Sequence, residues 1–481
     1  MNVRELEPLR VTGFFADLCA IPHGSGNTKA ISDYCAAFAR KRGLEYYQDE
    51  LNNLIIIKSA SPGYENSPAV IVQGHMDMVC EKDPGCAHDF RTDGLELDCD
   101  GDYIFARGTT LGGDDGIAVA AALALLDDDK IAHPRLEVVL TVDEEVGMTG
   151  AAGLEVSPLE GRRMLNLDSE SEGLFVAGCA GAVRAACLFP ASRERVEAVP
   201  VTLTLGGLRG GHSGQEIDKC RGNANMLMGR VLLHIGERFP LRLVSIKGGA
   251  ADNAIASETR AVIAAAPEHV GTARAIARKI EAVIKNELAA ADPGVFVRVE
   301  AGERTALEAV CAEDTQTIID ALTLLPNGIQ SMSADIPGLV RTSLNLGLLG
   351  LEGETLRACF CVRSSVDSEK AALVKRLERV CARLGGTLEL SGDYPAWEYR
   401  KNSPLCALMR QVYIEQYGCE PQVMAFHAGL ECGIFAKKLP GLDCVSAGPT
   451  ILDIHTPRER LDIASVQRLW AFLLEVLKRL K

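Results

Sequence analysis

The chain is organised around three short segments, and the first reads Val70-Ile71-Val72-Gln73-Gly74-His75-Met76-Asp77-Met78-Val79. The second is Leu111-Gly112-Gly113-Asp114-Asp115-Gly116, and the third is Leu140-Thr141-Val142-Asp143-Glu144-Glu145-Val146-Gly147. Each begins with apolar residues and continues into side chains that can bind metals. A short apolar run predicts a buried strand, and α/β proteins build their sites at the ends of such strands. The segments therefore predict an α/β fold with a metal centre at one edge of its sheet.

The length of the chain predicts more than one domain, because 481 residues exceed what a single ordinary core accommodates. Clusters of metal-binding side chains stop between about 195 and 390, apart from Gly210-Gly211-His212-Ser213-Gly214, and strands and helices there form two similar halves. We therefore expect residues 1–193 and 395–481 to form one α/β domain. Residues 194–394 are expected to form an inserted α+β domain of two similar halves.

The composition argues against several classes of partner. The chain has 65 acidic and 50 basic residues, a net charge of −15, which makes nucleic acid and anionic membrane poor partners. The apolar run Ile117–Leu126 is too short to span a bilayer, and the first residues lack the apolar core of a signal peptide. We expect a cytoplasmic protein whose 16 cysteines, none of them in a Cys-x-x-Cys motif, are reduced thiols.

Five residues could together build a site for two metal ions. Zinc takes imidazole and carboxylate ligands when thiolates are absent, and a metal pair about 3.5–4 Å apart needs one bridging carboxylate. The candidate ligands are His75, Asp114, Glu145, Asp168 and His455. Asp77 could hydrogen-bond the imidazole of His75 and fix its tautomer. Glu144, adjacent to Glu145, could face a water and act as a general base.

Each of these residues also has a purely structural interpretation. Asp114 and Asp115 precede a helix, where an aspartate is usually an N-cap. Glu144 and Glu145 could be a solvated strand end, and His455 beside Pro457 could be a turn residue. The coincidence of several such clusters at strand or helix ends is what favours the metal site.

The three segments resemble the co-catalytic di-zinc exopeptidases, a family that includes aminoacylase, carboxypeptidase G and bacterial dipeptidases and tripeptidases. Further motifs resemble one branch of that family, the aminoacyl-histidine dipeptidases, also called peptidase D or bacterial carnosinase. These motifs are Leu165-Asn166-Leu167-Asp168-Ser169-Glu170, Gly178-Cys179-Ala180-Gly181, His427-Ala428-Gly429-Leu430-Glu431-Cys432-Gly433 and Ile454-His455-Thr456-Pro457. The resemblance covers nearly the whole chain. It implies an α/β, zinc-exopeptidase-like catalytic domain with a central mixed sheet, interrupted by an α+β lid domain of two similar halves.

The resemblance also implies a role for each candidate. His75 and Asp168 would hold one zinc, Glu145 and His455 the other, and Asp114 would bridge, although the adjacent Asp115 leaves the choice of bridge open. Asp77 would orient His75, and Glu144 would be the base. In the lid domain, the substrate contacts would be His212, Asn253 and Arg363.

The implied reaction is hydrolysis of unblocked dipeptides, often of the Xaa-His or carnosine type, by a zinc-bridged water with Glu144 as general base. The implied cofactors are two zinc ions per chain, or cobalt or manganese in their place. The substrate would be a small peptide, and the protein a monomer or homodimer. Two alternatives stay open: a related di-zinc tripeptidase or N-acyl amino acid deacylase, and a catalytically inactive binding relative.

Overall fold

The computed structural model describes residues 2–481, which form two compact units. The first unit comprises the chain up to Cys179, Tyr399–Ala425 and Leu430–Lys481. The second comprises Ala180–Glu398 and the short segment Phe426–Gly429. Among the described residues, no helix is both long and apolar enough to cross a membrane.

The first unit begins with the helices α1 (Leu9–Cys19), α2 (Lys29–Lys41), α3 (Gly113–Asp127) and α4 (Thr149–Gly153). Its strands in this part are β1 (Glu45–Gln48), β2 (Leu54–Lys58), β3 (Val70–His75), β4 (Leu97–Cys99), β5 (Tyr103–Ala106), β6 (Leu136–Thr141), β7 (Arg163–Asn166) and β8 (Leu174–Cys179).

The second unit follows with the strands β9 (Gly181–Pro190), β10 (Arg193–Gly206), β11 (Gly211–His212), β12 (Arg242–Gly248), β13 (Ala254–Ile255), β14 (Thr259–Ala265), β15 (Phe296–Ala301), β16 (Thr305–Val310), β17 (Gly328–Met332), β18 (Val340–Glu352), β19 (Thr355–Ser364) and β20 (Thr387–Tyr394). Its helices are α5 (Ala224–Gly236), α6 (Val270–Glu287), α7 (Ala312–Leu324) and α8 (Asp367–Arg383).

The chain then returns to the first unit. Its remaining helices are α9 (Pro404–Tyr417), α10 (Glu431–Lys438) and α11 (Ile463–Arg479), and its remaining strands are β21 (Gln422–Phe426), β22 (Asp443–Ser446), β23 (Ile451–Leu452) and β24 (Arg460–Asp462).

The central sheet of the first unit is mixed and has the order β1-β2-β6-β3-β7-β22-β8-β21. The strands β2, β3 and β6 are buried along their whole length, as their apolar runs predict. Because β3 pairs in parallel with both β6 and β7, the three strands end at the same edge of the sheet. The loops after His75, Thr141 and Asn166 therefore leave the sheet side by side.

A small sheet of order β23-β24-β5-β4 places the last candidate ligand of the first unit. His455 lies in the loop that joins β23 to β24, and its backbone adopts a left-handed φ of 60°. The hairpin is held by pairing of β24 with β5, whose chain continues into the loop before Asp114. Two segments far apart in sequence are thereby brought together.

The second unit is an antiparallel ten-stranded sheet with helices packed on it. One half has the order β15-β10-β14-β12, and the other has the order β20-β9-β19-β18. The remaining two strands lie outside this order, with β16 paired to β10 and β17 paired to β18. In sequence order both read strand, helix, two strands, helix, strand. The halves meet where β12 pairs with β18, at Lys247 with Gly350 and at Gly248 with Leu349. Two similar halves are therefore present, as the sequence predicts.

The start of the second unit lies earlier than the boundary expected after residue 193. Strand β9 pairs along its length with β19, from Gly181 opposite Ser364 to Pro190 opposite Thr355. Strand β9 belongs to the half with the order β20-β9-β19-β18. The chain therefore enters this half first, forms the half with the order β15-β10-β14-β12, and then returns to complete the first one. Segment Phe426–Gly429, expected in the C-terminal part of the first domain, also packs with the second unit. Strands and segments that pair over so large a sequence separation leave no local sequence pattern from which the pairing could be predicted.

Candidate metal centre and a second polar cluster

Asp114 lies between the two candidate histidine ligands. Its Oδ1 is 3.1 Å from Nε2 of His75, and its Oδ2 is 3.2 Å from Nε2 of His455. The backbone of Asp114 is not helical although it lies at the start of α3, and the peptide bond to Asp115 is cis. One carboxylate that presents each oxygen to a different imidazole has the arrangement of a bridging ligand.

Each histidine has a second carboxylate beside it. Oδ1 of Asp168 is 4.0 Å from Nε2 of His75, and Oε1 of Glu145 is 2.8 Å from Nε2 of His455. The ligand atoms of His75, Asp114 and Glu145 lie within 4.8 Å of one another. All five residues predicted as ligands are thus brought together as a candidate dinuclear metal site.

Asp77 connects the His75 loop to the Glu144 loop. Nδ1 of His75 is 3.0 Å from the backbone oxygen of Asp77 and 3.5 Å from its carboxylate Oδ1. The same carboxylate accepts hydrogen bonds from the backbone N–H of Glu144 at 3.1 Å and from Ser25 Oγ at 2.8 Å. With Nδ1 engaged in this way, Nε2 of His75 is left to face the Asp114 carboxylate.

Asp115 is buried and holds the backbone rather than the second histidine. Its Oδ2 accepts a hydrogen bond from the backbone N–H of His75 at 3.2 Å. A Cβ at Gly74 would lie 2.6 Å from this oxygen, so the position admits only glycine without a shift. Asp115 does share a possible metal cluster with His75 and Asp168. Its contacts nevertheless favour Asp114 as the residue between the histidines.

The electrostatics of the cluster favour bound cations. Burial raises the pKa of Glu144 to about 8, and burial likewise raises the pKa values of Asp115 and Asp168 well above their usual range. Hydrogen bonds with Asp114 and Glu145 raise the pKa of His455 to about 10. Buried carboxylates in excess over imidazoles repel one another, and divalent cations offset that repulsion. The donor set therefore fits a pair of divalent metal ions.

Two buried glutamates that support the site are missed by sequence reasoning. The carboxylate of Glu459 accepts hydrogen bonds from the backbone N–H groups of Leu111 and Gly113 at 2.9 and 2.8 Å. Glu431 accepts from Gln73 Nε2 and Thr141 Oγ1, both at 2.6 Å, and so links β3 to β6. The sequence indicates them only by proximity to other motifs. Glu459 follows His455 by four residues, and Glu431 lies in the motif His427–Gly433.

The three residues predicted to contact substrate all lie in the second unit. Nδ1 of His212 accepts from the backbone N–H groups of Gly214 and Gln215, at 3.3 and 3.1 Å, which leaves the ring proton on Nε2. Asn253 is exposed, and its backbone oxygen accepts from Ser213 N at 2.8 Å. Arg363 is buried, and its Nη1 donates to the hydroxyl of Tyr394 at 3.1 Å.

The second unit adds His427, which lies in one of the family-like sequence motifs but has no predicted role. Nε2 of His427 is 2.7 Å from Oγ of Ser343. Burial, and after it the nearby charges of Arg363 and His212, lower the pKa of His427 to about 3. The His427 ring is therefore neutral at physiological pH.

Comparison with known proteins identifies the class. The sequence model of peptidase family M20/M25/M40 matches residues 71–479, so the chain belongs to this family and is a metallopeptidase. The chain is 38% identical over 483 residues to the cytosol non-specific dipeptidase of Escherichia coli strain K12, covering 100% of this chain and 99% of that protein.

Solved structures of similar proteins agree with this family assignment. The crystal structure of aminoacylhistidine dipeptidase from Vibrio alginolyticus matches with a TM-score of 0.93 and 38% identity, covering 99% of this chain and 98% of that one. A tripeptidase from Staphylococcus aureus matches with a TM-score of 0.55 at 17% identity, covering 99% of both chains, which shows a shared fold only.

Proposed function

We propose that this metallopeptidase hydrolyses unblocked dipeptides, with a preference for Xaa-His dipeptides of the carnosine type. The observation that carries the proposal is the position of Asp114, whose two carboxylate oxygens face the Nε2 atoms of two different histidines. The names of the two full-length relatives, a non-specific dipeptidase and an aminoacylhistidine dipeptidase, support the substrate class.

Two zinc ions would be held by the five clustered residues, and cobalt or manganese are the alternatives. His75 and Asp168 would bind one ion, His455 and Glu145 the other, and Asp114 both. When bound, a metal pair of this kind activates a water and polarises the peptide carbonyl. Asp77 would keep His75 oriented through the contacts at its Nδ1.

Glu144 would move the proton in this reaction. Its loop is fixed by the hydrogen bond from its backbone N–H to Asp77, and burial raises its pKa to about 8. A carboxyl group whose pKa lies near neutrality can accept a proton from the attacking water and return it to the leaving amine. We therefore propose Glu144 as the general base and then the general acid.

The second unit would act as the lid domain that binds substrate. His212 carries its ring proton on Nε2 and could donate it as a hydrogen bond to the carbonyl oxygen as negative charge develops there. Arg363 suits the carboxylate of a free C-terminus, because a guanidinium pairs with a carboxylate through two parallel hydrogen bonds. Asn253, beside the His212 loop, would be a further substrate contact.

A metal analysis combined with a substrate panel tests the proposal. We expect about two metal ions per chain and hydrolysis of carnosine and Ala-His, with little cleavage of tripeptides or N-acetyl amino acids. A preference for tripeptides or N-acetyl amino acids would favour the related peptidase or deacylase. Metal binding without hydrolysis of any of these compounds would favour an inactive binding relative. A cytoplasmic location and a monomer or homodimer complete the proposal.

A further inference from the structure

A row of four residues crosses four neighbouring strands of the second unit. Ser343 on β18 pairs with Arg363 on β19, and Arg363 pairs with Ala182 on β9. Ala182 in turn pairs with Tyr394 on β20. Directly paired residues of antiparallel strands present their side chains on the same face of the sheet. Because Ala182 is small, the Arg363 side chain can reach over it to the Tyr394 hydroxyl, 3.1 Å from Nη1.

Segment Phe426–Gly429 lies on this row. Nε2 of His427 is 2.7 Å from Oγ of Ser343, and the ring of Tyr394 packs so closely on Gly429 that a Cβ there would be 2.6 Å away. A Cβ at Gly214, which follows the His212 loop, would lie 2.5 Å from the backbone oxygen of His427. The imidazole of His427 is thus held beside Arg363.

Two nitrogen atoms of this cluster lack a partner. Nδ1 of His427 and Nε of Arg363 are buried, and neither has a hydrogen-bond partner among residues 2–481. The residues themselves are only 7% and 6% exposed. Within the same residues Arg363 forms no ion pair, although a buried guanidinium is normally matched by an anion. Buried polar atoms are rarely left unpaired. Two unpaired donors beside an unpaired guanidinium charge therefore indicate a binding site for an anionic ligand.

We propose that His427 is a specificity-determining residue that shares the C-terminal carboxylate of the peptide with Arg363. Arg363 Nε–H donates to one carboxylate oxygen, and His427 Nδ1–H donates to the other. The hydroxyl of Ser343 can rotate to donate to Nε2 of His427, which places the ring proton on Nδ1. Ser343 is then a positioning residue. The inference rests on the proposed function and deepens it by specifying how a free C-terminus is recognised.

Four proteins test the inference: wild type, His427→Gln, His427→Asn and Ser343→Ala, each loaded with metal. The amide nitrogen of asparagine can occupy the place of the imidazole Nδ1, whereas that of glutamine reaches the place of Nε2. The measurement is kcat/KM for Ala-His and for its C-terminal amide, and the readout is the ratio of the two. Thermal melting of each variant reports on folding separately.

We expect His427→Gln to lower the acid-over-amide ratio on the order of 10-fold, mainly through KM, and His427→Asn to keep it within about threefold. Ser343→Ala should fall between them. An unchanged ratio in a folded His427→Gln, while wild type hydrolyses Ala-His, would overturn the subsite and leave the proposed function standing. An equal loss in His427→Asn and His427→Gln would also overturn it, since the donor would then not matter. Failure of wild type to hydrolyse either compound overturns the proposed function itself.

Discussion

The molecule has two buried polar clusters, and they differ in the charge of the ligand that each would bind. In the first unit, carboxylates outnumber imidazoles, and each histidine Nε2 lies against a carboxylate oxygen. In the second unit, Arg363 and His427 offer donors, and two of their nitrogens have no acceptor among the described residues. Buried groups of one sign are stable only when the opposite sign is supplied. The first cluster therefore fits cations, and the second fits an anion.

Because of this difference in charge, substitutions in the two clusters should change different measured quantities. Changes to ligands of the first cluster should alter metal content together with activity. Changes in the second cluster should alter discrimination between substrates while the metal content stays constant. A substitution in one cluster that produced the effect expected of the other would break the comparison.

The largest effect is expected at a residue that lies beside the metal ligands without being one of them. Glu144→Gln should keep two metal ions but lower kcat on the order of 10²–10⁴-fold, because the amide is nearly isosteric yet cannot accept a proton. The measurements are metal content and steady-state hydrolysis of Ala-His. Glu50→Gln, an exposed glutamate of the same unit, serves as the control and should behave as wild type. Near-normal turnover of Glu144→Gln would remove Glu144 as the base.

The next effect concerns the bridge. Asp114→Asn should weaken binding of both ions, because a neutral amide replaces the charge that faces His75 and His455. Asp115→Asn is the matched comparison and should retain metal better, since an amide oxygen can still accept from the backbone N–H of His75. Metal content after dialysis distinguishes the two variants. Two tightly held ions in Asp114→Asn, with loss in Asp115→Asn, would assign the bridge to Asp115.

The remaining proposed ligands should show a smaller loss. His75→Ala, Asp168→Asn and His455→Ala each remove a ligand of one ion, so each should lower the metal content mainly from two towards one. Titration of the metal-free proteins measures this. Loss of both ions in all three variants would mean that the two positions are not independently occupied.

A selective effect is expected in the second unit. Arg363→Ala should lower kcat/KM for Ala-His on the order of 10²-fold more than for Ala-His amide, because a charged hydrogen-bond pair with the carboxylate is lost. Metal content should not change. Arg357→Ala, at a half-buried arginine on the same strand β19 that pairs with Glu389, is the control. Equal losses for the acid and the amide would remove Arg363 from carboxylate binding.

The sequence predicts the first cluster better than the second for a physical reason. His75 is the last residue of β3, and Glu145 and Asp168 lie in the loops that follow β6 and β7. Because parallel neighbours must end at one edge of the sheet, these residues come together there. Local pattern and topology therefore agree for these residues. The domain boundary after residue 193 has no such support, because the position of β9 depends on pairing with β19, far away in the chain.

The second cluster depends on register. Ser343, Arg363 and Tyr394 become neighbours only through the alignment of four strands, and His427 reaches them from another part of the chain. Arg363 was predicted only from resemblance, and the position of Ser343 against Nε2 of His427 could not be predicted. The support given by Glu459 is equally invisible, because its partners are the backbone N–H groups of a distant loop. Such contacts are set by the three-dimensional fold and leave no pattern in the local sequence.

The smallest effect is expected at Glu459, whose hydrogen bonds hold the loop before Asp114 in the metal-binding cluster. Glu459 is 2% exposed, and its two carboxylate oxygens face the backbone N–H groups of the loop that ends at Asp114, including Leu111 at 2.9 Å and Gly113 at 2.8 Å. In Glu459→Gln an NH₂ group replaces one oxygen and must face N–H donors. The loop should loosen, because an acceptor is lost where donors are buried.

We expect the free energy of unfolding of Glu459→Gln to fall by about 1–3 kcal/mol, and the metal affinity to fall on the order of 10-fold, since the loop positions the carboxylate of Asp114. Denaturant unfolding of the metal-free protein and metal titration measure the two quantities separately, with Glu50→Gln as the control. The acid-over-amide ratio should not change, because Glu459 belongs to the cation-binding cluster. A loss of stability with unchanged metal affinity would mean that Glu459 supports the fold of the loop but not the position of Asp114.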